Sequence, residues 1–145
     1  MKLSTKGRYG TRLMVDLAIH HNHGPVLLKD IAARQEISEK YLWQLIPPLK
    51  NAGLIRSGRG AHSGYELTRP PEQVTLKDII LAVEGPLLLV QCVRNPNACQ
   101  RMEACGTRGI WAEVSEKISR VLETVTLSGM AERQNNLSRS SFYEI

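Results

Sequence analysis

The chain has 145 residues, about the length of one domain. Its hydrophobic share of 42% is ordinary for a folded protein and too high for a disordered one. Residues 1–69 carry 11 basic and 5 acidic side chains, whereas residues 70–145 carry 8 and 9, so the first half holds the excess behind the net charge of +5. This asymmetry indicates a first half that binds nucleic acid and a second half with another role.

Two classes of protein are excluded by the distribution of apolar residues and cysteines. No run approaches the roughly 18 apolar residues of a membrane span, and the basic N-terminus is not followed by the apolar stretch of a secretory signal. The three cysteines are an odd number, which argues against a disulfide framework. We therefore expect a cytoplasmic protein with reduced thiols.

Three helices are predicted in the first half. Apolar residues at helical spacing predict one from about Gly7 to His20 and a short one over Leu28–Arg34. Ser38 is the expected N-cap of a third helix. Because each proline removes a backbone donor and crowds the preceding turn, Pro47-Pro48 predicts a break or sharp kink near residues 45–48, with a further turn to Asn51.

A hairpin is predicted to follow these helices. Leu54–Ser57 and Tyr65–Thr68 are short strand-like segments around a glycine-rich basic loop, residues 58–64. Three short helices and a hairpin form a winged helix-turn-helix. We expect a mainly α fold in which residues 1–70 are this DNA-binding region.

The second half is predicted to hold a connecting helix, a cysteine loop and a dimerisation helix. Thr75 caps a helix that Gly85-Pro86 stops, and residues 71–109 comprise this helix and a polar loop with all three cysteines. An apolar stripe from Ile110 to about Leu127 predicts an amphipathic helix, to which we assign dimerisation over residues 110–133. The polar residues 134–145 are predicted to be a flexible tail.

The predicted DNA contacts lie at the start of the third helix and on the wing. In winged helices the N-terminal residues of the third helix meet base edges in the major groove. An arginine on a glycine-flanked loop suits a narrow minor groove. The candidate DNA-binding residues are Ser38, Lys40, Tyr41, Gln44, Arg59 and Gly60. The alternative is a protein-interaction module on which these positions are merely solvated.

The cysteines are spaced Cys92-x6-Cys99-x5-Cys105, unlike the C-x2-C pairs of structural zinc sites. Three thiols in so short a loop can converge on one centre, and thiolates select iron–sulfur clusters, zinc or cuprous ions. The alternative is three unligated thiols that sense oxidation. An enzyme is disfavoured, because neither a nucleophile turn nor a phosphate loop occurs in the sequence.

Several separated motifs together resemble the bacterial IscR/NsrR/CymR (Rrf2) regulators over roughly residues 1–130. They are Ser4–Gly10 at the start, Ile37-Ser38 with Tyr41-Leu42 and Gln44-Leu45, Leu49–Leu54, and Arg59-Gly60 with Gly64-Tyr65-x-Leu67.

The resemblance implies a homodimeric winged-helix transcription regulator that binds a palindromic operator in double-stranded DNA. Sensing members bind an iron–sulfur cluster, [2Fe-2S] in our prediction, through three loop cysteines, which Cys92, Cys99 and Cys105 match. The opening motif and the cysteines are most similar to the IscR branch, which controls cluster-assembly genes. Glu84-Gly85-Pro86 is similar to the CymR branch, which lacks the cysteines. The alternative function is therefore a cluster-free regulator of cysteine metabolism, controlled by thiol oxidation or by a partner protein.

Four positions depart from the family pattern. Arg108 stands where IscR-type proteins have a histidine ligand, and Arg8 stands where NsrR-type proteins have an acid. The fourth ligand is thus unassigned among Glu103, solvent and a residue of the partner subunit. Trp43 replaces a common glutamate, which affects the expected choice of DNA motif, and Ser63 replaces a wing glycine.

Overall fold

A computed structural model describes residues 2–60 and 63–143. The described chain is mainly helical with one two-stranded antiparallel sheet, so the expected fold class is confirmed. Ala61 and His62 of the predicted wing loop lie outside the described residues. The elements in chain order are α1 (Thr5–Ile19), α2 (Leu28–Gln35), α3 (Glu39–Asn51), β1 (Ile55–Ser57), β2 (Tyr65–Leu67), α4 (Leu76–Glu84), α5 (Arg108–Thr124) and α6 (Leu127–Tyr143).

Helices α1, α2 and α3 enclose an apolar core. Leu13 and Met14 of α1 and Ile31 of α2 are fully buried. Asp16 is buried beside them and accepts two hydrogen bonds from Arg34, at 3.0 and 2.7 Å. The hydrogen bond to the carboxylate raises the pKa of the Arg34 guanidinium. This pair joins α1 to α2 and, with a hydrogen bond from the Gln35 side chain at 3.1 Å, satisfies the buried carboxylate.

The expected break at Pro47-Pro48 is wrong, because α3 is one helix from Glu39 to Asn51, while the alternative of a sharp kink stays a prediction. The prolines leave the carbonyls of Trp43 and Gln44 without helical donors, but both residues are exposed, so water can supply the bonds. The opposite side of the helix is held by apolar burial. Its buried residues are Leu42, Leu45, Ile46 and Leu49.

The predicted hairpin is present and is attached to the helices. Ile55 pairs with Leu67 and Ser57 with Tyr65. The backbone of Val26, before α2, exchanges two hydrogen bonds with Tyr65, at 2.9 and 2.8 Å. A Cβ on Gly64 would lie 2.0 Å from the Val26 carbonyl oxygen, so this close approach requires glycine there.

The predicted helix over residues 110–133 is instead two helices. Helix α5 ends at Thr124, and Val125 accepts a backbone bond from Leu76 at 2.8 Å, beside α4. A new helix then starts, with the Thr126 hydroxyl accepting the Gly129 N–H at 3.0 Å. Leu127 is fully buried in the core with α1, so the first turn of α6 packs with the helices of the first half of the chain.

Residues 134–143, the described part of the predicted flexible tail, continue α6, and the flexibility itself stays a prediction. Serine and asparagine are poor helix formers. However, neither glycine nor proline follows Gly129 in the chain, so no strong helix breaker interrupts this helix. Among the helices of residues 2–60 and 63–143, none has the length and apolar character that crossing a membrane requires.

Candidate DNA-reading surface and cysteine loop

The start of α3 presents polar side chains to solvent. Ser38 is the N-cap, and its hydroxyl oxygen accepts the Tyr41 N–H at 3.1 Å, which leaves the hydroxyl hydrogen available to a DNA acceptor. Lys40 and Gln44 are exposed, and Tyr41 is half-buried. These four predicted contact residues therefore form one accessible surface at the N-terminal end of the helix.

The wing presents the other predicted contacts. Arg59 and Gly60 are exposed, and Gly60 has a φ of 105°, a conformation that favours glycine. Arg56 at the base of the hairpin is instead paired with Glu66 at 2.9 Å, which reduces its availability to phosphate. The positive charge at the described end of the wing is thus that of Arg59.

Trp43 connects the two parts of this surface. Its side chain is 53% exposed, and its ring meets the ring of Tyr65 edge to face at 6.3 Å. Tyr65 is the first residue of the strand that returns from the wing. The position that departs from the family pattern therefore packs α3 against the hairpin, in addition to facing solvent.

Sequence reasoning missed a cluster on α1 beside the start of α3. The ring of Tyr9 meets that of Tyr41 edge to face at 5.4 Å. The guanidinium carbons of Arg8 and Arg12 lie 5.7 and 5.4 Å from the centre of the Tyr9 ring. The i, i+4 spacing of the arginines was visible in the sequence, but their position beside Tyr41 depends on helix packing.

The cysteines lie in an irregular loop, residues 85–107, between α4 and α5. Cys99 is exposed, whereas Cys92 and Cys105 are half-buried, and all three are free thiols. Arg108 donates from Nε to the Cys92 carbonyl at 3.1 Å, so its side chain fastens the loop to α5.

Cys105 is set apart by its hydrogen bonds. Its Sγ lies 3.3 Å from the Thr107 hydroxyl, just before α5 begins. The pKa of Cys105 is lowered, first by this hydroxyl, then by the backbone N–H groups of Thr107 and Arg108, and also by the charge of Arg101. These groups stabilise the thiolate, which is the form that binds metals and reacts with electrophiles.

Three thiols have the ligand chemistry that an iron–sulfur cluster needs. In this conformation of the loop, however, they do not form one ligand set. Within the described ranges, no group of three or more His, Cys, Asp or Glu residues is arranged to hold a metal ion. Holding a cluster therefore requires the loop to rearrange. Few backbone bonds oppose this, since its regular structure consists of two single 3-10 turns, Gln91–Val93 and Met102–Ala104.

Comparison with known proteins gives one consistent family. The model of the Rrf2 family, whose description is iron-dependent transcriptional regulator, matches residues 3–133 of this chain. The Rrf2 protein of Nitratidesulfovibrio vulgaris is 45% identical over 90% of this chain and 87% of its own. Among solved structures, CymR, the global cysteine regulator of B. subtilis, has a TM-score of 0.75 at 40% identity, covering 92% of this chain and 98% of its own. IscR of T. potens has a TM-score of 0.74 at 42% identity, and the match covers 92% of this chain and 88% of the IscR chain.

Proposed function

The chain belongs to the Rrf2 family of DNA-binding transcription regulators, and on that premise we propose that it is a homodimer that senses iron–sulfur cluster supply and controls cluster-assembly genes. The observation that carries this proposal is the placement of Cys92, Cys99 and Cys105. All three are in the single loop that joins α4, which packs on α1 and α3, to α5. A regulator of chromosomal DNA of this kind acts in the cytoplasm.

DNA reading is proposed to divide between α3 and the wing. Gln44 is suited to pair with adenine, and Ser38 to donate to a base acceptor, in the major groove. Lys40 contacts phosphate, which positions the protein without reading sequence. Tyr41 packs at the groove edge, and Arg59 with Gly60 enters the minor groove.

Dimerisation is proposed to occur through α5. Within this fully described helix only Ser115 is buried, while a row of apolar side chains stays in solvent. Helix α5 packs chiefly on α4 and the Gln91–Val93 turn, which leaves its outer face uncovered. A second copy is the occupant that fits, because a two-fold pair presents two reading surfaces to one palindromic operator. The exposed apolar residues are Ile110, Trp111, Val114 and Val121.

The sensing step is proposed to be an ordering of the cysteine loop. Cys92, Cys99 and Cys105 would be the thiolate ligands of a [2Fe-2S] cluster. When bound, the cluster would make the ligation of these thiols depend on iron supply and redox state. Their convergence would pull the loop into one arrangement and change how α4 and α5 meet. The guanidinium of Arg108 offers donors and no acceptor, so we do not count it among the ligands. The fourth ligand is Glu103, solvent or a residue of the partner subunit.

A second function is favoured by the hydrogen bonds of Cys105. Because they lower the pKa of its thiol, the thiolate is available for oxidation without any metal. In this reading the protein is a cluster-free regulator of cysteine metabolism, controlled by thiol oxidation or by a partner protein.

Anaerobic reconstitution with ferrous iron and sulfide tests the choice. We expect visible charge-transfer absorption in the wild type and its loss in the Cys92→Ala/Cys99→Ala/Cys105→Ala variant. DNA binding is then measured on a duplex selected from random DNA, with and without cluster. A wild type that gains no absorption, or a triple variant that keeps it, contradicts cluster sensing. Equal DNA binding with and without cluster, combined with loss of binding under oxidant, favours the second function.

A further inference from the structure

We propose that Glu84 is the positioning residue that transmits the state of the cysteine loop to α3, the recognition helix. The transmission passes through the first turn of α1. The inference rests on the proposed function, since it concerns how the loop acts on the DNA-reading surface. It assigns a role to a side chain that touches neither the cysteines nor the predicted DNA contacts.

The first turn of α1 has an unfavourable sequence for a helix N-terminus. The unpaired N–H groups there create a partial positive charge that acidic side chains stabilise. This turn contains no acidic residue and does contain Lys6 and Arg8. Ser4 is the N-cap, and its hydroxyl oxygen accepts the Gly7 N–H at 3.2 Å, but a negative charge for this end can come only from elsewhere in the fold.

Glu84, the last residue of α4, supplies that charge. Its Oε1 accepts the N–H groups of Ser4 at 3.0 Å and Gly7 at 3.1 Å, and also the Ser4 hydroxyl. The absence of a side chain at Gly7 makes room for the carboxylate, because a Cβ there would lie 2.5 Å from Oε1. One turn further along α1, a Cβ on Gly10 would lie 3.2 Å from Cγ1 of Val83. The two helices thus meet at close range where the carboxylate binds.

Glu84 is also where the cysteine loop begins. Gly85 follows with a φ of 80°, then Pro86, so α4 ends sharply at this carboxylate. Cys92 lies eight residues further on, and its carbonyl is held by Arg108. A rearrangement that gathers the cysteines must therefore move a short segment whose upstream end is Glu84.

Helix α1 contacts the recognition helix on its other side. Tyr9 packs against Tyr41 in the first turn of α3. Arg12 donates to the Gln35 side chain at 3.2 Å, and also to the Gln35 carbonyl, at the end of α2. A shift of the first turns of α1 would consequently move the start of the helix that reads DNA.

The test measures the ratio of operator Kd values between the cluster-free and cluster-loaded protein. Couplings between sites are typically about 5- to 150-fold, and we expect the wild type to lie in that range. In Glu84→Ala we expect a ratio within about twofold of one, below that range. Glu84→Gln keeps an oxygen that can accept the same bonds, so we expect it to restore most of the ratio.

Two further variants separate transmission from general stability. Gly7→Ala leaves the charge in place but pushes the carboxylate away, while alanine favours the helix, so we expect the same loss of coupling in a folded protein. Asp78→Ala removes a capping carboxylate at the opposite end of α4, where Asp78 accepts the Thr75 N–H at 2.9 Å. We expect this control to keep the wild-type ratio.

Amide hydrogen exchange gives a readout independent of DNA. Exchange at Gly7 should differ between the two loop states in the wild type and not in Glu84→Ala. A wild-type Kd ratio of one refutes cluster-dependent control itself, and with it the premise of this inference. A wild-type ratio within the expected range that Glu84→Ala and Gly7→Ala both retain overturns the role of Glu84 and leaves the proposed function standing.

Discussion

The DNA-reading helices and the cysteine loop are held in different ways. The reading helices surround fully buried side chains such as Leu13, Leu42 and Leu45, and the pair between the buried Asp16 and the exposed Arg34 joins two of them. Residues 94–101 of the loop are all exposed, and its three thiols do not form a ligand set.

This difference indicates where each region obtains its structure. Close packing gives the reading surface one low-energy arrangement before it meets DNA. The loop buries little apolar surface, so a bound group or a chemical change can select its conformation at small cost. Helix α5 is intermediate, because one side packs on α4 and the other side is uncovered.

The largest expected effect is on the core of the reading helices. Leu45→Ala should lower the free energy of unfolding by about 2–5 kcal/mol, because it removes buried methyl groups and leaves a cavity. Cys99→Ala, at an exposed loop position, should stay within about 0.5 kcal/mol of wild type. Urea denaturation of reduced, cluster-free protein at one fixed concentration measures both. Similar losses of stability in the two variants would contradict the difference between the packed core and the exposed loop.

Substitutions on α5 should act on assembly. Val121→Asp should weaken the dimer by about 3 kcal/mol, roughly 100-fold in Kd, since each subunit would bury an unpaired carboxylate. Leu137→Asp is the control, because Leu137 is 65% exposed and Val121 is 62% exposed. Sedimentation equilibrium gives the two dissociation constants. A Val121→Asp protein that stays dimeric would remove this face from the interface.

Two substitutions on α3 should have different kinds of effect on DNA binding. Gln44→Ala should lose about 1–3 kcal/mol of operator affinity and relax sequence preference at one base pair. Lys40→Ala should weaken binding to all sequences alike and lower the salt dependence by about one counterion. Titrations of operator and scrambled duplexes at several salt concentrations measure both. Equal losses on both duplexes for Gln44→Ala would contradict base reading by this residue.

The smallest effect is expected at Cys105. The hydrogen bonds from Thr107 lower the pKa of this thiol, so the thiolate persists to lower pH than an ordinary cysteine allows. Thr107→Val should move the alkylation rate of Cys105 to higher pH and slow it near neutrality. Iodoacetamide rates in a Cys92→Ala/Cys99→Ala background follow this one thiol. An unchanged pH profile would show that the hydroxyl does not stabilise the thiolate.

Local signals predicted much of the fold. Apolar spacing, the caps Ser38 and Thr75, and the glycine-rich loop between two short strands predicted α1 to α4 and the hairpin. They succeeded because each signal agrees with the packing that the element finds. Prolines 47 and 48 misled, because buried leucines on the other side of α3 outweigh two lost backbone bonds.

The sequence by itself determined the charged first half, the winged-helix order of elements and the family, since these depend on residues close together in the chain. Only the tertiary structure decided that Leu127 joins the core beside α1, that Tyr9 meets Tyr41, and that Glu84 caps a helix that begins 79 residues earlier. Such contacts join residues distant in sequence, and they depend on how whole helices pack. The arrangement of the three thiols depends further on what the loop binds, which neither local sequence nor helix packing dictates.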